Sequence, residues 1–464
     1  MEQAHQILQE LEAASSIILA SPSLVTNDQR NDAEAVFMSF RKTNMPYSLC
    51  RYILDCSRVD FVLFETAGTL RDALIQEWIL LSQELKNEFR QYLFQYIMRD
   101  EKILAPFVRD RILQVIAIMI KRGSVEDGGQ ERSNILDEVE KLIFNGDLKK
   151  QVLGCSIILA LMHEYSTTVG LTSESHYAAK KEFEAKDLRR IFVFSTRALH
   201  EIQNLPQPLS IDIMTVLKNL LIICESILVW GFNSTNMPKY LIGTFKGRYN
   251  SENSPILKLG SEWKDIITNP STVDLYFQIY WMVRDKPQFS HHCLSCLVQL
   301  SSINGNIWTD TNVRMKYMTN YLQNFIKLVS TVKILDRESI GISTIIKRII
   351  RGYTPSGLMQ FPPDIFNSFL ENTTHLTCQF AEGAATEENL SQDDQMFSEA
   401  FNNILQPWVS IIAYSNQSFP EELYNSASIQ ILNTYLKCHV SPSNGTKTPE
   451  TEFNENEEDD RVVS

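Results

Sequence analysis

The fold is decided by the stretch LFETAGTLRDALIQEWILL at residues 63–81. Its apolar residues recur at alternating steps of three and four, which is the period of an α-helix with one buried face. They are Leu63, Ala67, Leu70, Leu74, Trp78 and Leu81. Arg71 and Asp72 fall between the apolar positions, so the helix should present them away from the core. The stretch therefore predicts a helix that packs against neighbours on one side.

The same helical period continues in both directions along the chain. Thr26 stands three residues before Gln29, a spacing that lets each side chain satisfy a free backbone N–H at a helix start. The second helices of the first four predicted pairs start near Asp28, Asp60, Pro106 and Leu148. Their step of about 40 residues is typical of HEAT and armadillo repeats. We therefore expect an all-α fold, a right-handed α-solenoid of about nine HEAT/armadillo-like helical hairpins.

The composition agrees with long helices and short turns. Only 17 glycines and 16 prolines occur in 464 residues, and 44% of the residues are hydrophobic. The pattern of helices and polar stretches predicts four segments: HEAT-like repeats over 1–166, a flexible connector over 167–181, further HEAT-like repeats over 182–440, and a disordered acidic tail over 441–464. Within the first segment, we expect the sixth helix to stop before Gly123 and a polar loop to follow over 123–132. The apolar run from Ile211 to Trp230 should be a buried helix, because its charged residues make a membrane span unfavourable.

The charge balance bears on the kind of partner. A formal net charge of -13 repels phosphate backbones, so direct binding of nucleic acid is not expected, and a basic protein is a better match. The amino terminus lacks the basic and apolar regions of a secretory signal, so we expect the eight cysteines to be reduced thiols. Membrane insertion is not expected.

No residue pattern indicates an enzyme. The sequence has no phosphate-binding glycine loop, no dinucleotide fingerprint and no serine-nucleophile elbow, so we expect no catalytic residue and no cofactor. The best metal candidate is the run His291, His292, Cys293, Cys296, with His375 and Cys378 as the only distant pair. Core packing is the favoured interpretation of these cysteines. A small basic cluster of Lys347, Arg348 and Arg351 near a helix end is explained by the helix dipole, with a partner contact as the alternative.

Several short phrases, in their order along the chain, resemble the exportin-4 family of the importin-β (karyopherin) superfamily. The phrases are Phe40-Arg41-Lys42, Glu77-Trp78-Ile79-Leu80-Leu81, Lys121-Arg122-Gly123-Ser124, Lys186-Asp187-Leu188-Arg189-Arg190-Ile191-Phe192, Gly341-Ile342-Ser343-Thr344-Ile345-Ile346, Thr374-His375-Leu376-Thr377-Cys378 and Cys438-His439. The resemblance is to the amino-terminal part of these receptors, which are much longer chains.

The resemblance implies a nuclear export receptor. Such a receptor binds folded, basic protein cargo together with the GTP form of the small GTPase Ran, contacts nuclear pore proteins, and shuttles between nucleus and cytoplasm. Residues 1–166 would then form the Ran-binding arch. Superfamily members carry a hydrophobic–Lys–Asn triplet on the second helix of the second repeat, which matches Leu70-Arg71-Asp72 here, with Arg for Lys and Asp for Asn. Arg71 and Asp72 are therefore candidate Ran contacts. For Trp78, packing between repeats is the favoured role.

Two other hypotheses remain open at this point. A generic HEAT or armadillo interaction scaffold without transport activity would share the same helical pattern. An enzyme with a helical fold is the third hypothesis, and the absence of a convergent set of catalytic residues argues against it.

Overall fold

The computed structural model describes residues 2–99, 104–166, 173–230, 256–353, 355–390, 395–414 and 421–439. The chain divides into two compact units, Met1–Val332 and Lys333–Ser464. The predicted acidic tail, residues 441–464, lies outside the described residues.

The first unit consists of helices joined by short turns. Its α-helices are α1 (Glu2–Ile18), α2 (Asn27–Arg41), α3 (Tyr47–Cys56), α4 (Asp60–Glu77), α5 (Gln83–Ile97), α6 (Pro106–Asp127), α7 (Gln130–Asn145), α8 (Leu148–Ser166), α9 (Ser173–Phe183), α10 (Arg189–Gln203), α11 (Ile211–Leu228), α12 (Lys264–Ile267), α13 (Pro270–Val283), α14 (Pro287–Leu300) and α15 (Thr311–Thr331). A π-helical segment, Glu184–Leu188, joins α9 to α10.

These helices form a stack of helical hairpins in which each hairpin packs against the next. The second helices α2, α4, α6, α8, α11 and α14 contact one another in that order, and α1, α3, α5, α7, α10 and α13 are their hairpin partners. The predicted starts of the first four second helices are confirmed at Asn27, Asp60, Pro106 and Leu148. The capping box is also confirmed, since Gln29 N donates to Thr26 Oγ1 and Thr26 N donates to Gln29 Oε1. The predicted all-α solenoid of HEAT-like hairpins is therefore the observed fold.

Two consecutive cations of α6 bind the ends of the helices on either side. Lys121 Nζ donates to the backbone carbonyl of Glu164 at 2.6 Å, in the last turn of α8, and to Glu164 Oε1 at 3.2 Å. Arg122 Nη2 donates to the carbonyl of Ile75 at 3.0 Å, in the last turn of α4. The last carbonyls of a helix have no partner within the helix, and a cation also complements the negative end of the helix dipole. These contacts tie α4, α6 and α8 together.

The end of α6 differs from the prediction. The helix passes through Gly123 and continues to Asp127, so the prediction of a loop over 123–132 is wrong. The break comes instead at Gly128 and Gly129, whose φ angles of 62° and 79° are left-handed and favour glycine. A single glycine costs a helix only about 1 kcal/mol relative to alanine, and the apolar residues before Gly123 are buried deeply enough to outweigh it.

The segment predicted as a flexible connector, 167–181, is helical from Ser173 onward, and that part of the prediction is wrong. Residues 167–172 lie outside the described residues. Helix α9 contacts α6 and α8 of the preceding hairpins, whereas α10 contacts α7, α11 and α13. Arg132 fixes the junction, because its fully buried guanidinium donates from Nε to Asp187 Oδ2 at 2.6 Å and from Nη1 to the Tyr165 hydroxyl at 3.0 Å.

A short strap precedes α12 and pairs with the turn between α14 and α15. An isolated parallel bridge joins Lys258 to Asn304, with Leu259 N donating to the Asn304 carbonyl at 2.9 Å. Gly305 makes the close approach feasible, since its φ is 103° and a Cβ there would lie 2.5 Å from the Leu259 carbonyl oxygen.

The second unit is a smaller group of helices. It contains α16 (Asp336–Gly352), α17 (Pro355–Leu358), α18 (Pro363–Leu390), α19 (Met396–Tyr414) and α20 (Glu421–His439). Helix α19 packs against both α16 and α18, and α20 packs on α18. In the described part of the chain, no helix has the length and apolarity needed to cross a membrane.

Candidate functional site

The predicted Ran contacts lie together on the partly exposed side of α4. Arg71 and Asp72 form an ion pair, with 3.0 Å between Arg71 Nη2 and Asp72 Oδ1. Their side chains keep 29% and 42% of their exposed area. Leu70 and Leu74 on the same helix are buried, which explains the orientation: the apolar stripe faces the neighbouring helices and the charged pair lies outside it. The role of the pair in binding Ran stays a prediction.

Two further arginines extend this pair across three consecutive second helices. Arg41, at the end of α2, donates from Nε to Glu65 Oε2 of α4 at 2.8 Å. Arg111 of α6 lies within electrostatic range of all four charged groups. Burial lowers the pKa of the Arg111 guanidinium, and the positive charge of Arg71 adds to the decrease. We call Arg41, Glu65, Arg71, Asp72 and Arg111 the arginine cluster.

Arg111 is held in place beside exposed aromatic surface. Its guanidinium carbon lies 5.2 Å from the centre of the Phe64 ring, and Nη1 donates to Gln114 Oε1 at 2.8 Å. Its Nε is buried and has no hydrogen-bond acceptor among the described residues. Phe64 packs edge-to-face against Phe107, which is 51% exposed. Arginine and aromatic side chains are the types most enriched at the energetic centres of protein interfaces.

The cluster suits recognition of an acidic or mixed-charge protein surface. It holds three cations and two anions and so is locally positive on a chain whose net charge is -13. A planar guanidinium can bind a carboxylate through two parallel hydrogen bonds. In the ranges that the structure describes, no three His, Cys, Asp or Glu side chains come together in a way that could hold a metal ion.

Comparison with known proteins shows the family of the chain. The model of the exportin-4 family matches residues 1–426. The chain belongs to the exportin-4 family. Exportin-4 of Dictyostelium discoideum is 24% identical over 424 residues, which cover 83% of this chain and 37% of that relative. Ran-binding protein 17 of Homo sapiens is 25% identical over 328 residues, covering 68% and 28%.

A third relative widens the comparison beyond exportin-4. Exportin-7-A of Xenopus laevis is 23% identical over 297 residues, covering 63% of this chain and 26% of that protein. The chain thus spans between about a quarter and two fifths of the length of these relatives.

Trp78 has the structural role that the sequence favoured. Its side chain is buried, and the indole N–H donates to Glu126 Oε1 of α6 at 3.0 Å. Lys86 of α5 lies 4.4 Å above the ring and also binds Glu126. Trp78 therefore joins two successive hairpins, and its buried side chain leaves little surface that a binding partner could contact.

The cysteines of the metal candidate are core residues, as the favoured interpretation held. Cys293 and Cys296 are fully buried, and the Cys293 thiol donates to the Tyr276 carbonyl at 3.2 Å. Burial raises the pKa values of both thiols. The adjacent His292 contacts Glu225 of α11 through Nδ1 at 2.6 Å. These side chains therefore tie α14 to α11 and α13.

The basic cluster of α16 also has a packing role, in addition to its position near the helix end, where cations complement the dipole. Lys347 is buried and donates to Asn403 Oδ1 at 2.9 Å, and Arg351 Nη2 donates to Gln406 Oε1 at 2.6 Å. Both acceptors lie on α19. Arg348 is buried as well. Lys347 and Arg351 bind the neighbouring helix, and the burial of Lys347 and Arg348 leaves little of either side chain for a partner to contact.

Proposed function

We propose that the chain acts as a nuclear export receptor that binds folded, basic protein cargo together with Ran-GTP, contacts nuclear pore proteins, and shuttles between nucleus and cytoplasm. Membership of the exportin-4 family supports transport as the general function. The name of the relative Ran-binding protein 17 supports Ran as a partner. The net charge of -13 supports a basic cargo.

The observation that carries the proposal is the arginine cluster. It joins charged side chains of α2, α4 and α6, and it contains both Arg71 and Asp72. We propose that Ran-GTP binds across this cluster, with Arg111 and the exposed Phe107 ring beside the contact. Because Arg111 is already fixed against Phe64 and Gln114, its binding would cost little side-chain entropy.

The test is the binding of the purified chain to Ran loaded with GTP or GDP, with and without a basic cargo protein. The proposal expects preference for the GTP state and mutual strengthening, because cargo and Ran must raise each other's affinity by the same factor. Equal binding to both nucleotide states would instead favour a general interaction scaffold. A screen for nucleotide hydrolysis and bound zinc tests the helical-enzyme hypothesis, which a positive result would favour over the receptor.

The arginine cluster is tested separately by substitution. Arg71→Ala and Arg111→Ala should each weaken Ran-GTP binding by about tenfold, the size expected for loss of a central interface residue. Arg51→Ala is the matched control, because Arg51 is a half-exposed arginine on α3 that pairs with the exposed Glu88. If all three variants bind Ran-GTP equally, Ran does not bind at the arginine cluster. That result would not affect the proposal that the chain binds Ran-GTP.

A further inference from the structure

The positive charge of Arg111 is unpaired within the arginine cluster. The other two arginines each have a carboxylate partner: Arg41 pairs with Glu65, and Arg71 pairs with Asp72. In the ranges that the structure describes, Arg111 forms no ion pair, although both carboxylates lie within electrostatic range of it. It is also half-buried, and a cation that is partly removed from water without an anion beside it is costly. The surplus positive charge of the cluster is therefore the charge of Arg111.

One side of the Arg111 guanidinium has no hydrogen-bond partner. Nη1 donates to Gln114 Oε1 at 2.8 Å. On the other side, neither the buried Nε nor Nη2 has an acceptor among the described residues. Their N–H bonds point the same way, and this arrangement can bind both oxygens of one carboxylate. We call this Nε–Nη2 side of Arg111 the free edge.

Gly68 of α4 leaves space beside the free edge. A Cβ at this position would lie 3.5 Å from Nη2 and 3.8 Å from Nε of Arg111. Phe64, whose ring centre lies 5.2 Å from the guanidinium carbon, is one turn before Gly68, and Asp72 is one turn after it. Glycine is unfavourable inside a helix. Here the absence of a side chain keeps the free edge open between these two turns.

We propose that the protein bound at the arginine cluster places an aspartate or glutamate carboxylate on the free edge of Arg111, beside Gly68. The inference rests on the proposed binding of Ran-GTP across this cluster. Arg41 and Arg71 already bind carboxylates of this chain, so the free edge selects the partner's acidic residue. This requirement distinguishes the contact from that of a basic cargo, which the net charge of -13 attracts.

Unfolding by urea tests the free edge without any partner. Gly68→Asp supplies a carboxylate from the chain itself, and Gly68→Asn has the same size without the charge. The midpoint of the aspartate variant, relative to that of the asparagine variant, should be higher with Arg111 than with Arg111→Ala. Repulsion from Glu65 and Asp72 acts with and without Arg111, so the comparison cancels it.

Binding of Ran-GTP to the complete 464-residue chain tests what fills the free edge. Gly68→Asp should weaken binding by about tenfold relative to Gly68→Asn, because its carboxylate already occupies Arg111. In the Arg111→Ala chain the two variants should bind alike. Arg111→Lys keeps the charge but lacks the paired N–H bonds, so it should lose most of the affinity that Arg111→Ala loses.

Three results overturn the proposal. They are a urea comparison that does not depend on Arg111, equal binding of Ran-GTP by Gly68→Asp and Gly68→Asn, and native affinity in Arg111→Lys. A native chain that binds no Ran-GTP contradicts the proposed function instead. The urea comparison then decides by itself whether the free edge accepts a carboxylate.

Discussion

Replacement of Lys121 by methionine should destabilise the first unit more than any single surface change. Methionine fills a similar volume but removes the ammonium that binds both the carboxylate and the backbone carbonyl of Glu164. The Lys121 and Glu164 side chains keep only 1% and 4% of their exposed area. Removal of one partner from a buried ion pair costs about 3–5 kcal/mol, because the other charge stays desolvated. We expect a loss of that size in the free energy of unfolding at about pH 8.

The loss should shrink as the pH falls. Burial raises the pKa of the Glu164 carboxyl, and the Lys121 ammonium opposes the rise. Without the ammonium the pKa rises further above its unfolded value of about 4.3. A group with a raised folded pKa binds its proton more tightly in the folded state, so its protonation stabilises the fold below that pKa, and the stability is lost as the pH rises through it. The difference between the variant and the native chain should therefore decrease from about pH 8 to about pH 5.

Urea unfolding followed by far-ultraviolet circular dichroism at several pH values measures both effects. Lys141→Met is the control, since Lys141 is an exposed lysine in an ion pair with the exposed Glu138, and it should change little. Adding Glu164→Gln to Lys121→Met should recover most of the loss by removing the buried charge. If the double variant is as unstable as the single one, or if the loss does not depend on pH, the electrostatic explanation is wrong.

Two further substitutions and one labelling experiment test other parts of the fold. Gly305→Ala should lower the free energy of unfolding by about 1–3 kcal/mol, because alanine is strained at this positive φ and its Cβ would collide with the Leu259 carbonyl. Thermal unfolding measures the loss, and an unchanged midpoint temperature would contradict the prediction. Thr26→Ala should cost about 1 kcal/mol by removing the cap of α2, and hydrogen exchange should quicken in the first turn of that helix and not in α4. A thiol reagent should label the exposed Cys56 quickly in the folded chain, whereas Cys155, whose pKa burial raises to about 12, should react only on unfolding.

The sequence predicted helix starts better than helix ends. Starts carry local signals, such as the capping box at Thr26 and the proline at position 106, and both mark real helix starts. A break at Gly123 puts the end of α6 too early, because burial of the residues around Gly123 stabilises the helix through it. The paired glycines 128 and 129 were the informative signal, since their left-handed conformation excludes helix continuation.

Other features depend on contacts that are distant in sequence. Helix α9 has a polar sequence and is supported by α6 and α8, so its local composition indicated a connector. In the candidate site, the sequence identified Arg71 and Asp72 but missed Arg41 and Arg111, because they join the pair only across the stacked hairpins. Arg111 follows Arg71 by about one repeat length of 40 residues, and that spacing could have indicated it.

The π-helical turn between α9 and α10 limits how the chain can change length in evolution. A π turn holds one residue more than an α turn, and each residue rotates a helix by about 100°. Deletion of one codon within 184–188 would restore a regular helix. With α10 unchanged, α9 would rotate about its axis and turn its buried side away from α6 and α8. Insertions elsewhere can be absorbed by a surface turn, but here a change of a single residue decides which hairpins the helix joins.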